Sequence, residues 1–192
     1  MAFEVRSVLW RGVDPFSAEL FQLTRGERLW DLHGVVLADL PDGGTEIRYL
    51  LRADELWRSH RLRVEMTGAH IGTLDLVGDG HGAWSVDGER APDLDGCVDV
   101  DVGVSPSTNT LPIRRLAPPV GRPVVVPVAW VRFPELTVEV DRQTYERLDE
   151  RRWMFRSEGF EAELEVDDEG LVVRYADLWL RVAATGGGIA GS

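Results

Sequence analysis

The chain has 192 residues, 44% of them hydrophobic, and carries 33 acidic against 21 basic residues for a formal charge of −12. This length suffices for one domain with a buried core, and the charge repels nucleic acid and anionic lipid headgroups at long range. Every basic residue is arginine, which excludes lysine Schiff-base chemistry, and the single cysteine, Cys97, excludes an internal disulfide and a four-cysteine zinc site.

Between Met1 and Trp10 there is no apolar run of signal-peptide length, and no stretch approaches ~20 apolar residues. A cytoplasmic protein without an integral membrane segment is the expectation. Residues 15–23 follow a possible helix cap, Asp14, with proline at the first helical position; they read as a short helix or a strand. Strands are then predicted at 32–40, 46–51, 60–66, 71–77 and 96–104. The second half adds 124–131, 136–140, 160–166, 171–175 and 178–182. Residues 142–152 are charged and rich in helix formers, so a helical turn is favoured there over a strand. Pro41-Asp42-Gly43-Gly44, Gly78-Asp79-Gly80, Val86-Asp87-Gly88 and Asp167-Asp168-Glu169-Gly170 supply turns. The fold class is therefore all-β, mainly antiparallel, as a sandwich, roll or barrel. The absence of strand–helix alternation argues against a nucleotide-binding α/β fold. Residues 1–185 form the expected single domain, with a tail of small residues at 186–192 that frays.

Residues 97–116 are the most informative. Val98, Val100, Val102 and Val104 alternate with Cys97, Asp99, Asp101 and Gly103, so one strand face is valine and the other carries two carboxylates about 6.6 Å apart. That spacing is within the range of glycosidase pairs, but such pairs flank their bond, whereas these project together from one strand. Ligand binding or arginine pairing is the better reading, beside the plain one of a solvated face. Cys97 shares the face of Asp99, which raises a thiol pKa and disfavours a nucleophile. Ser107, Thr108, Asn109 and Thr110, between Pro106 and Pro112, read as a turn whose hydroxyls and amide suit sugar hydroxyls. A second strand follows, in which Arg114 and Arg115 diverge. Only one can face the aspartates. Arg114 is expected, because Leu111 and Ile113 then pack with the valines.

Tryptophan, at 7, outnumbers Phe at 6 and Tyr at 3. Most of the scattered tryptophans are expected in the core, with Trp10 and Trp57, each followed by an arginine, as exceptions. The four histidines lack zinc spacing, there is no Gly-x-Ser-x-Gly elbow, and no glycine-rich phosphate loop occurs. No metal and no cofactor are expected.

Several segments together resemble the putative glycolipid-binding family of bacterial proteins. They are Trp10-Arg11, Glu19, Leu32-His33-Gly34-Val35-Val36, Asp54 with Trp57, residues 97–116, Gln143 with Tyr145, and Asp168-Glu169-Gly170-Leu171-Val172 with Tyr175. The run 108–116 is the most specific. Two positions depart: Ser107 stands where the family favours phenylalanine, and His60 where it favours arginine. The resemblance implies a large curled sheet, a spiral β-roll or half-barrel with at most short helices. It is distantly similar to periplasmic lipoprotein carriers that hold acyl chains. It also implies a glycolipid or other amphipathic small molecule as partner. The expected function is non-enzymatic binding in a groove whose mouth is built by Asp99, Asp101, Thr108, Asn109 and one of Arg114 and Arg115. Arg11, Trp57 and Tyr145 are further candidate contacts. The alternative is a hydrolase of glycosyl or ester bonds using Asp99 or Asp101 as base; a third is a protein-binding domain. Oligomeric state is not legible from the sequence.

Overall fold

The computed structural model describes residues 4–13 and 15–186; the expected cap Asp14 and the tail beyond Gly186 lie outside the described residues. A first meander comprises β1 (Glu4–Gly12), β2 (Ser17–Arg25), β3 (Leu29–Leu40), β4 (Gly43–Asp54), β5 (Ser59–Gly68), β6 (Gly72–Gly78), β7 (Trp84–Val86) and β8 (Glu89–Arg90). After a crossing segment with β9 (Asp99–Val102) and a helix, α1 (Thr110–Leu116), a second meander follows. It runs through β10 (Val124–Val131), β11 (Val138–Arg147), β12 (Arg152–Ser157), β13 (Phe160–Val166), β14 (Val172–Tyr175) and β15 (Trp179–Thr185).

All fifteen strands belong to one sheet, ordered β8-β7-β6-β5-β4-β3-β2-β1-β15-β14-β13-β12-β11-β10-β9. The two meanders join where β1 pairs antiparallel with β15, and the only parallel pair among the described strands is β9 with β10. The sheet is curled but not closed. Its β9 edge reaches the start of β5, where Ser59 N donates to Val98 O at 3.1 Å and Val100 N donates to Ser59 Oγ at 3.2 Å. No helix among the described residues is long and apolar enough to cross a membrane.

Strand periodicity sets the faces. Along β4, Thr45, Ile47, Tyr49, Leu51 and Ala53 are buried while their neighbours are more exposed, the two-residue alternation of a strand with one covered side. The turns are as local as the sequence suggests. Asp87 and Gly88, at φ 49° and 88°, join β7 to β8, the left-handed pair that a two-residue hairpin requires.

One open alternative is decided and two expectations are corrected. Residues 15–23 are not helical, because the Phe21/Leu23 side packs into the core as part of β2. Residues 142–152 are the end of β11, a turn and the start of β12, where Gln143 and Tyr145 are buried on alternate positions. The predicted second strand at 110–116 is α1. Pro112 falls in its first turn, where no intrahelical N–H is needed. Left-handed Ala117, at φ 37°, ends it before Pro118 and Pro119.

Candidate functional site

Residues 105–113 are all buried, and they bond to both meanders, so the segment plugs the curled sheet. From the first meander, Tyr49 Oη donates to Glu19 Oε1 at 2.5 Å and lies 2.5 Å from Ser107 Oγ. Ser105 Oγ donates to Glu19 Oε2 at 2.7 Å. Tyr49 reaches this position by crossing Gly34, where any Cβ would stand 2.1 Å from the tyrosine ring. Ser107 is thus part of a buried hydroxyl cluster with Tyr49 and Ser105.

From the second meander, Gln143 Nε2 donates to Asp101 Oδ2 at 2.6 Å, and Thr108 Oγ1 donates to Asp101 Oδ1 at 2.8 Å. Tyr145 Oη lies 2.9 Å from Asn109 Oδ1 and 3.0 Å from Gln143 Oε1. Asp99 is paired by the Arg115 guanidinium through Nε and Nη2. The expected arginine was Arg114. On a helix, neighbouring side chains diverge by about 100° rather than by the 180° of a strand, and α1 turns Arg115 inward. The aspartate face is covered, not solvated.

These buried acids are shifted together. Burial pushes Glu19 up to about 7 despite the hydrogen bonds from Tyr49 and Ser105. Burial likewise raises Asp99 against the pull of Arg115, and Asp101 against Gln143 and Thr108. Cys97 is pushed up to about 11, by burial first and then by Asp99. Glu19, with no cation bonded to it among the described residues, was not singled out as chemistry from the sequence. Its signal was an acid on a buried strand face, legible only once 17–25 is a strand.

The mouth of the plug is different. A cavity of about 250 Å³ is lined by Arg6, Leu23, Arg25, Trp30, Trp57, Arg114 and Glu169. Trp30 and Trp57 stack, with ring centroids 4.5 Å apart and planes at 21°. Arg25 lies over Trp30 at 5.3 Å and Arg114 over Trp57 at 4.8 Å, both within cation–π range. Trp57 has φ 62°, a left-handed conformation that costs a bulky residue about 1–3 kcal/mol. Asp54 holds it there. Its backbone carbonyl accepts Trp57 N at 2.9 Å, and its carboxylate accepts Leu56 N and Arg58 N at 2.9 Å and Arg58 Nε at 2.7 Å. His60 Nε2 lies 3.3 Å from the same carboxylate. Partial burial opposes the charge, but these bonds outweigh it and hold the Asp54 carboxyl below its ordinary value. Arg114 is seated against Gly170, where a Cβ would lie 3.1 Å from its Cδ. Thr110 Oγ1 donates to Gly170 O at 3.1 Å, fixing α1 to the same turn.

Of the candidate contacts, Trp57 and Arg114 therefore meet at the pocket. Asp99, Asp101, Thr108, Asn109, Arg115 and Tyr145 meet behind it, in the plug. Arg11 joins neither group; it is exposed, opposite Ala18 and Leu180. Trp10 is fully buried and donates from Nε1 to Val172 O at 2.8 Å. Trp30, Arg6 and Arg25 escape a sequence reading because the Arg25–Trp30 juxtaposition depends on the β2–β3 register.

A sequence model described as putative glycolipid-binding matches residues 7–181. Among solved structures, the chain is similar to the crystal structure of a DUF1089 family protein from Pseudomonas aeruginosa. The TM-score is 0.78 at 32% identity, covering 86% of this chain and 92% of that one. No protein of curated function matches.

Proposed function

Since the chain belongs to the putative glycolipid-binding family, we propose that it is a non-enzymatic binding protein whose ligand is an amphipathic molecule with a hydroxyl-rich headgroup, taken at the Trp30–Trp57 pocket. The observation that carries this reading is the tryptophan pair itself. An aromatic of this size is held in a strained backbone conformation by a dedicated aspartate turn; against the sequence expectation Trp57 is buried in the core, at 6% exposure, and it reaches the wall of a cavity from there. Strain of that kind clusters at ligand sites, and the stacked indoles, whose faces are taken by each other and by Arg25 and Arg114, offer an amphipathic rim to a headgroup. A volume of about 250 Å³ equals roughly eight waters at ~30 Å³ each. It fits a headgroup and not an acyl chain as well. Leu29 and Leu56, exposed beside the two tryptophans in the chain, offer apolar surface to the start of a tail. In this reading Trp57 and Arg114 touch the ligand, and Asp99, Asp101, Thr108, Asn109, Arg115 and Tyr145 position the plug that delivers Arg114.

The hydrolase alternative is favoured by one observation, the raised carboxyls of Asp99 and Asp101, as a general acid needs. Their oxygens are engaged by Arg115, Gln143 and Thr108, which favours a structural role.

Titration with alkyl glucosides below their micellar concentration, read by tryptophan fluorescence and calorimetry, tests the proposal. Saturable binding that is lost in Trp57→Ala and Trp30→Ala, with far-UV circular dichroism unchanged, is expected. Binding that survives both substitutions sinks the site. Turnover of aryl glycosides or esters that disappears in Asp101→Asn would instead establish the hydrolase.

A further inference from the structure

We propose that the headgroup taken by the Trp30–Trp57 pocket is acidic, carrying a phosphate, sulfate or carboxylate that Arg114 and Arg25 receive; this rests on the binding reading above and narrows its ligand class. The chain as a whole is strongly acidic, at −12, yet this cavity is lined by three guanidiniums and one carboxylate. The long-range field therefore opposes an anion while the local wall attracts one. Such a reversal marks a place where cations are gathered against the general trend of the surface.

The three arginines are not equivalent. Arg6 is compensated, with Nη2 3.2 Å from Asp167 Oδ2 and Nε 3.3 Å from Glu169 Oε2. The Nε and Oε2 atoms of that second pair are buried without hydrogen-bond geometry to any partner. Arg25 and Arg114 are in no ion pair among the described residues, although the chain has a surplus of carboxylates. Both guanidiniums instead lie over the faces of the stacked tryptophans. Stacking on an indole orients the planar fork and leaves its N–H edge available, the geometry that receives a carboxylate or phosphate bidentately. Arg114 is also half-buried against Gly170, so its position is fixed before a ligand arrives, which lowers the ordering cost of binding. The tryptophan pair thus orients both guanidiniums, Arg25 on Trp30 and Arg114 on Trp57.

The test compares octyl β-glucoside with octyl β-glucuronide, matched in tail and ring and differing in charge, both below their micellar concentrations. Free glucuronate is the third arm. For the wild type at low salt, the glucuronide should bind about tenfold or more tightly than the glucoside, and the advantage should shrink as salt rises from about 0.05 to about 0.5 M. Arg114→Gln should remove most of that advantage, weakening the glucuronide about fivefold or more beyond any loss it causes for the glucoside. Arg25→Gln, at an exposed position, should reduce it without disturbing the plug. Equal affinity of the wild type for the two glycosides overturns the acidic headgroup and leaves the pocket reading standing. Saturation by neither glycoside overturns both. Free glucuronate binding as tightly as the glucuronide keeps acid recognition and overturns the amphiphile.

Discussion

Arg114 and Arg115 are consecutive in the chain but belong to two differently built regions. Arg115 reaches inward to Asp99, a carboxylate only 1% exposed, within a plug where hydroxyls, amides and acids are bonded to one another. Arg114 lies on an indole at a cavity and is in no ion pair among the described residues. In the interior, each polar group is explained by another polar group. At the pocket, two arginines outside any ion pair among the described residues, a strained tryptophan and a buried Arg6–Glu169 pair without hydrogen-bond geometry are left unexplained by protein partners. Buried polar groups are normally satisfied, so the second pattern, and not the richer first one, points to a ligand. The interior determines stability and the position of α1, and the pocket determines binding. That division predicts which substitutions affect which property.

The largest effect is expected at Arg115. Arg115→Ala strands Asp99 in a buried site, and breaking a buried pair from one side costs about 3–5 kcal/mol. Chemical denaturation measures it. The double variant Asp99→Asn/Arg115→Met should recover much of the loss, since no buried charge is then left unmatched. If Arg115→Ala melts like the wild type, the interior network is not what holds the plug.

Next is the pH dependence of the interior. Glu19 keeps its proton up to about pH 7 in the folded chain but loses it near 4.5 when unfolded. Between those values the folded state binds more protons, so stability falls as pH rises, by about 3 kcal/mol in all. Below about 4.5 that contribution is fully present, and above about 7 it is gone. The raised carboxyls of Asp99 and Asp101 act with the same sign. Glu19→Gln keeps an acceptor for Tyr49 and removes this share of the slope. Denaturation midpoints of wild type and variant that remain parallel from pH 4.5 to 7 would show that Glu19 is ionised in the fold.

How much of this was legible in the sequence follows the same division. Alternation and Asp-Gly turns mark local strands, and the Asp87-Gly88 turn falls where the sequence implies, although the short strands it joins are not read from the sequence. The family resemblance supplied the curled sheet, and of the residues lining the pocket only Trp57 and Arg114 are among the candidate contacts read from the sequence. The helix was missed because the alternation of 97–104 invites extension through Leu111 and Ile113. Pro118 and Pro119 beyond a helix end, and a proline tolerated in a first turn, were the contrary signals. Arginine pairing of the aspartate face is expected from the sequence and is observed, but the residues that cover it are not the expected ones. A strand buried on both sides requires a partner from elsewhere in the chain, here Arg115, Gln143 and Thr108, and no local pattern announces it. The pocket's second tryptophan depends on β2–β3 register, which is tertiary information. Choosing Arg114 over Arg115 was a consequence of the strand assumption.

The pocket's own architecture should respond less. Asp54→Ala removes four acceptor contacts that hold the left-handed Trp57 turn, and a loss of about 1–3 kcal/mol is expected, mostly from unsatisfied turn donors. Asp54→Asn keeps one carbonyl acceptor for Leu56 N and Arg58 N and should lose less. Both should alter tryptophan fluorescence, because the Trp30–Trp57 stack depends on the turn. An unchanged spectrum with reduced stability would mean that Trp57 keeps its place without Asp54.

The smallest effect on stability is expected at Arg114, and it sharpens the comparison most. Arg114→Ala removes a cation–π contact worth about 0.5–1 kcal/mol where partly exposed, together with packing on Gly170. It leaves no buried carboxylate unpaired, since no acid bonds to Arg114 among the described residues. A midpoint shift corresponding to about 1 kcal/mol or less is therefore expected, several-fold below that of Arg115→Ala. Two neighbours of the same residue type, on the same short helix, would then differ because one faces an acid inside and the other faces a cavity. Equal losses at the two positions would show that the pocket is part of the stabilising core, and that its arginine is held there for the fold rather than for a ligand.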